Sequence, residues 1–281
     1  MRYFLGLLLS LFTVQLVAQE GDFPFGKTTY RELEMKVYEK DSSASAVVLN
    51  EFGQAYFDSG NDHNLLFNYH VKIKILKKEA LDYANLEIAL SKSGMYFEKL
   101  KSIEASSFTL DNGSIRESKV EARNIFAEEV NKYLDIKKVA IPNVREGSVI
   151  EFKYTIESPF SYNFRSWEFQ SEIPKVRSEY WAIIPANYLY NITLKGFLSL
   201  TTNTSSLQRS CYSVGANTSD CSKFVYAMTD IPAFIEEDFM TARSNFLSAI
   251  TFELSEYRYF DGRVDKKTKE WRDAELELRR H

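Results

Sequence analysis

Three histidines (His63, His70 and His281) and two cysteines (Cys211 and Cys221) are the whole stock of imidazole and thiol groups in this chain of 281 residues. A zinc site takes three or four protein ligands, and the spacing picks out no carboxylates to complete one around His63 or His70. The stretch Asp58-Ser59-Gly60-Asn61-Asp62-His63 invites a calcium-loop reading. Such a loop wants glycine at its sixth position and glutamate at its twelfth, and counting from Asp58 gives His63 and Tyr69, so a polar turn is expected. His70 lies beside Lys72 and Lys74 on the polar side of an alternating run, where solvation is the expectation. No histidine occurs between 70 and 281 to activate either cysteine as a nucleophile. Glu128-Glu129 and Glu236-Glu237-Asp238 are expected as solvated turns or caps, and sequence nominates no glycosidase pair among 39 acids. Nucleophile-elbow, phosphate-loop and dinucleotide fingerprints are missing from the sequence. The expectation is therefore no catalytic residue, no metal ligand and no cofactor. Aromatic rings are the remaining candidates: Trp167 with Phe169, and Tyr180 with Trp181, offer a platform on which a sugar could stack. The competing expectation is that these rings fill the space between sheets.

These residues need a scaffold and a compartment. Residues 1–19, MRYFLGLLLSLFTVQLVAQ, have a basic start, a short apolar middle and small residues near Ala18, the pattern of a secretory signal peptide. A bilayer span takes about 20 apolar residues, and Gln15 interrupts this run. After it no apolar stretch reaches that length. In an oxidising compartment Cys211 and Cys221, which bracket a Ser-, Asn- and Gly-rich insert, are expected to join as a disulfide at a hairpin tip. A formal charge of −4 argues against a nucleic-acid partner, which needs a concentrated basic surface.

The dominant pattern has period two. Phe67, Tyr69, Val71, Ile73 and Ile75 alternate with polar residues, as do Ile150, Phe152, Tyr154 and Ile156. The same beat recurs in Leu86–Ile88–Leu90, Tyr188–Tyr190–Ile192–Leu194, Phe224–Tyr226–Met228 and Ile250–Phe252–Leu254. Each run is expected as a strand with one wet side, and Asn112-Gly113 as a tight hairpin. Thr29 and Glu32 have the capping-box spacing of a short helix with Tyr30, Leu33 and Val37 on one face. Phe126, Val130 and Tyr133 permit another helix over 121–134, and Trp271, Ala274 and Leu278 a third. The fold expected is mainly all-β: an antiparallel two-sheet β-sandwich over residues 20–262, with a short N-terminal helix and a helical connector or tail over 263–281.

Four phrases carry a resemblance: ELEMKVYEKDSSASAVVL (32–49), HVKIKILKKEALDYANLEI (70–88), IPNVREGSVIEFKYTIESP (141–159) and WEFQSEIPKVRSEYWAIIP (167–185). From about Tyr30 to about Trp271 the chain resembles the uncharacterised N-terminal domain that precedes a transglutaminase-like core in exported proteins of Gram-negative bacteria. The resemblance implies a β-rich, non-catalytic domain that scaffolds or presents a protein or glycan substrate to a Cys-His-Asp core, in cis or in trans, in the periplasm or at the cell surface. Trp271, Ala274 and Leu278 would form the docking face, and Cys211 and Cys221 match no catalytic motif. A carbohydrate-binding module using Trp167 or Trp181 is the alternative.

Overall fold

The computed structural model describes residues 21–60 and 63–267. The leader at 1–19 and the docking face of Trp271, Ala274 and Leu278 lie outside the described residues.

Among the described residues one short α-helix, α1 (Tyr30–Glu34), precedes sixteen strands. They are β1 (Ala46–Phe57), β2 (Leu65–Ile75), β3 (Asn85–Ser93), β4 (Tyr96–Phe97), β5 (Lys99–Asp111), β6 (Ser114–Lys119), β7 (Ile125–Asn131) and β8 (Leu134–Ala140). The series continues with β9 (Val149–Ser158), β10 (Trp167–Glu168), β11 (Lys175–Pro185), β12 (Tyr188–Lys195), β13 (Thr202–Val214), β14 (Asn217–Ile231), β15 (Ala249–Arg258) and β16 (Val264–Lys266). They form an eight-stranded sheet in the order β13-β14-β11-β1-β2-β9-β5-β6 and two four-stranded sheets, β4-β3-β8-β7 and β10-β15-β12 with β16 on β15.

The alternation did its work in β2, β9, β14 and β15. Phe67, Val71, Ile73 and Ile75 of β2 join Ile156 and Phe152 of β9 in the core on the inner face of the large sheet. Ile250, Phe252 and Leu254 of β15 and Tyr190 of β12 cover part of that face. Leu86 and Ala80 lie against another part. Asn112 and Gly113 both take positive φ, 50° and 77°, as the β5–β6 hairpin requires.

Five expectations need correction. The strands form three sheets rather than two, because the strands facing the large sheet split into two separate groups, β4-β3-β8-β7 and β10-β15-β12. The large sheet is not wholly antiparallel, because β1 and β11 pair in parallel, with Gly53 opposite Tyr180 and Gln54 opposite Trp181. These strands are far apart in sequence, so no hairpin fixes their relative direction. Residues 121–134 are not helical: a single 3-10 turn at Ala122–Asn124 leads into the β7–β8 hairpin. Pairing with β8 overrode the i, i+4 spacing, leaving Phe126, Val130 and Tyr133 exposed. At the C-terminal end, Val264–Lys266 is extended and pairs with β15 rather than opening a helix. Finally, α1 is only five residues long, so of its expected apolar face Leu33 alone is buried. Its capping box is present, Glu32 N donating to Thr29 Oγ1 at 3.2 Å and Thr29 N to Glu32 Oε2 at 2.6 Å.

Candidate binding cleft

Strand register sets one row of side chains across the outer face of the large sheet. Trp181 of β11 stands opposite Gln54 of β1, Gln54 opposite Asn68 of β2, Asn68 opposite Thr155 of β9, and Thr155 opposite Ser102 of β5. Thr155 Oγ1 donates to Asn68 Oδ1 at 2.9 Å, and Asn68 Nδ2 donates to Gln54 Oε1 at 3.4 Å. A chain of relayed amides and hydroxyls thus lines a cleft of about 320 Å³, bounded by Trp181, Phe52, Asp22 and the Lys153–Glu104 pair. Trp181 is fixed on several sides. Its Nε1 donates to Glu179 Oε1 at 2.7 Å, Phe52 meets it edge-on at 5.3 Å, and Lys223 Nζ lies 3.3 Å from its ring centroid.

The neighbouring row runs Glu179, Phe52, His70, Lys153, Glu104. Here the expected wet side is covered. Residues 21–27 cross it as a strap, and His70 is only 2% exposed, contrary to the solvated position its neighbours Lys72 and Lys74 foretold. Its Nδ1 lies 2.6 Å from Asp22 Oδ1 and its Nε2 2.9 Å from Glu151 Oε1, while the Phe23 ring stacks on it at 3.7 Å. Burial opposes the charged imidazolium, but the hydrogen bonds and charges of Asp22 and Glu151 outweigh it and hold the pKa above the usual histidine value. The strap is also tied by Gly21 N to Glu179 Oε1 at 3.0 Å, Gly26 N to Glu151 Oε2 at 3.2 Å, and Lys72 Nζ to Lys27 O at 2.9 Å. Beside it Lys74, fully buried, donates to Leu33 O at 2.7 Å and Gly147 O at 2.6 Å. Burial, aided by Lys36, lowers its pKa to about 8.

Trp167 is not ligand-facing. It is 4% exposed on the inner face, stacked on Tyr180 at 5.1 Å and lying over Gly53, where any Cβ would fall 2.1 Å from the ring. Its Nε1 donates to Ser178 Oγ at 2.9 Å, and Ser178 Oγ donates to Glu51 Oε2 at 2.6 Å. Lys175 Nζ and Tyr69 OH complete the shell of Glu51 at 2.6 Å and 2.8 Å. This buried knot is internally satisfied. The inward position follows from β10, which pairs Trp167 with Ile250 of β15 and so sends its ring into the space between sheets. Of the two candidate tryptophans, only Trp181 borders the cleft.

Cys211 and Cys221 are joined in a disulfide between β13 and β14, with Cα atoms 5.8 Å apart. Both thiols are therefore committed. His63 has φ 52°, and its ring lies 5.7 Å from that of Tyr212. Among the described residues no group of three or more His, Cys, Asp or Glu is arranged to hold a metal, and no helix is long and apolar enough to cross a membrane. Gln54, Asn68 and Thr155 had no sequence signal of their own. Their positions emerge only from the register linking β1, β2 and β9.

Together these features define a mainly β domain of several sheets, with a polar cleft on the outer face of the largest. The chain belongs to the family described as a domain of unknown function with a solved structure, DUF3857, which its residues 61–218 match. No curated protein matches the chain. Among solved structures it is similar to one described as a putative protease from Parabacteroides distasonis, at 12% identity and a TM-score of 0.54, covering 74% of this chain and 40% of that one. Two further similarities are an M1 zinc metallopeptidase from Deinococcus radiodurans and yeast LTA4 hydrolase in complex with bestatin. The first has 11% identity and a TM-score of 0.34 over 79% of this chain and 45% of that one. The second has 10% identity and a TM-score of 0.32 over 75% and 29%. The chain spans less than half the length of these solved structures.

Proposed function

We propose that this chain is an exported, non-catalytic β-sandwich domain that holds an extended substrate for a transglutaminase-like Cys-His-Asp core, supplied in cis or in trans. The observation that carries this reading is the open row Gln54–Asn68–Thr155–Ser102 on the outer face of the large sheet. Relayed amides and hydroxyls are suited to the alternating donors and acceptors of a peptide backbone, and a sheet holds them in fixed register. The disulfide supports export, since such bonds persist in oxidising compartments such as the periplasm. Similarity of fold to part of a much longer protein described as a putative protease agrees with a domain that accompanies a reacting core.

The reading is tested by titrating the full mature chain with extended peptides and following the cleft amides by NMR. Shifts confined to Gln54, Asn68, Thr155 and Ser102, and affinity lowered about tenfold by Asn68→Ala, are expected where a polar contact is removed. Peptides that bind equally well to Asn68→Ala overturn it.

The second reading, a carbohydrate-binding module, is favoured by Trp181 at the edge of the same row. Lys223 occupies one face of that ring, so a sugar stacking on that face must displace it. Lys223→Ala would then strengthen binding of an oligosaccharide. A glycan series without effect on Trp181 fluorescence in either protein removes this reading.

A further inference from the structure

The seat of residues 21–27 is built of charged groups that a strand's outer face normally leaves in water. Glu151 is fully buried, and His70 and Lys72 nearly so, under a segment without regular secondary structure. The segment also forms a wall of the cleft, since Asp22 lines it and Gly21 packs against Trp181, where a Cβ would lie 2.8 Å from the ring. We propose that residues 21–27 are a releasable strap along one wall of the cleft, held while His70 carries its proton and let go when the ring becomes neutral. This rests on the reading of the cleft as a binding site.

A charged imidazole donates from both nitrogens and can serve Asp22 and Glu151 together. A neutral ring keeps one N–H, so one carboxylate then faces a lone pair. Glu151 cannot reach water, whereas the Asp22 side chain is 56% exposed and can. Asp22 is therefore the partner that leaves, taking the Phe23 stack with it and uncovering the row Glu179–Phe52–His70–Lys153. The other charges around His70 do not replace it. Lys72 on its own strand is shared between Glu32 of the α1 segment at 3.6 Å and Glu151 at 3.8 Å. Lys153 of β9 is paired with Glu104 of β5. Glu179 of β11 is held by Arg177, and β1 contributes only Phe52. Because the folded pKa of His70 lies above its unfolded value, the strap is locked at low pH and loosens as pH rises through the folded value.

Hydrogen exchange of residues 21–27 in the full mature chain, corrected for intrinsic rate, tests this between pH 6 and 9. Protection is expected to fall about tenfold or more as the pH rises. Asp22→Asn, which leaves the sheet untouched, should show low protection at every pH, and His70→Gln the same. Fluorescence of Trp181, identified by its loss in Trp181→Phe, should follow the exchange. Protection that stays flat in the wild type, or an Asp22→Asn slope equal to it, overturns the strap. Peptide titration separates the two ideas. A pH-dependent strap with no ligand bound sinks the cleft reading alone, and ligand bound above a pH-independent strap sinks the strap alone.

Discussion

Gly53, Trp167 and Ser178 show how closely single residues are matched. With the Trp167 ring in the space a Cβ would take, Gly53→Ala forces the indole or β1 to move and should cost about 1–3 kcal/mol in urea unfolding. Trp167→Ala should cost about 3–5 kcal/mol, because it opens a cavity and strips Ser178 of a donor. Two titrating groups under the N-terminal segment act in opposite directions. Lys74 has a lowered folded pKa, so between about pH 8 and the unfolded value the unfolded chain binds more protons and stability rises with pH. That rise should be on the order of 2–3 kcal/mol in wild type and vanish in Lys74→Met, read from urea midpoints between pH 7.5 and 10.5. His70, with its raised folded pKa, contributes stability that is present below the unfolded value and lost as pH rises through the folded one. Neither burial was legible in the sequence, where His70, Lys72 and Lys74 form the polar half of a regular alternation. What covers His70 and Lys72 is a segment some forty residues earlier with no periodicity, tied down by its bonds to Glu179, Glu151 and His70, while Lys74 is capped by the Leu33 carbonyl of α1, a contact that the helix signal alone does not reveal.

Among elements, strands with strict alternation and the Asn112-Gly113 turn were legible because both depend on neighbouring residues alone. The β7–β8 hairpin was not, since Phe126, Val130 and Tyr133 suit a helical face as well as an edge strand, and only Leu134–Ala140 decides between them. Because that strand is exposed, Phe126→Ser or Val130→Ser should shift stability by no more than about 0.5 kcal/mol, whereas a packed helix would suffer far more. The disulfide was legible from the spacing of Cys211 and Cys221 and the leader pattern of residues 1–19. It clamps the far end of the β13–β14 ribbon, so the Cys211→Ser/Cys221→Ser pair should lose about 2–3 kcal/mol, read as a lower thermal midpoint that reductant reproduces in wild type. The parallel β1–β11 pairing had no local signal whatever, and with it the placement of Trp181 beside Gln54 was hidden.

At the scale of the molecule, stability should be graded. The sheet β4-β3-β8-β7 has β7 exposed along nearly its whole length, while β1, β2 and β11 are buried on long stretches of both faces. Native-state hydrogen exchange should therefore open β7 and β8 well before β1, β2 and β11, and equal protection across both sheets would contradict the layering described above.

The parallel seam also fixes an order of events as the polypeptide is made. β1 can zip to β2 as soon as both have emerged, but its other margin has no mate until Lys175 and the ten residues after it arrive. For that interval a long ribbon edge, with Glu51 facing no ammonium, stays open to intruding chains. Chains halted before Lys175 should therefore aggregate through Ala46–Phe57, whereas chains extended past Pro185 should not, read by sedimentation of the two lengths.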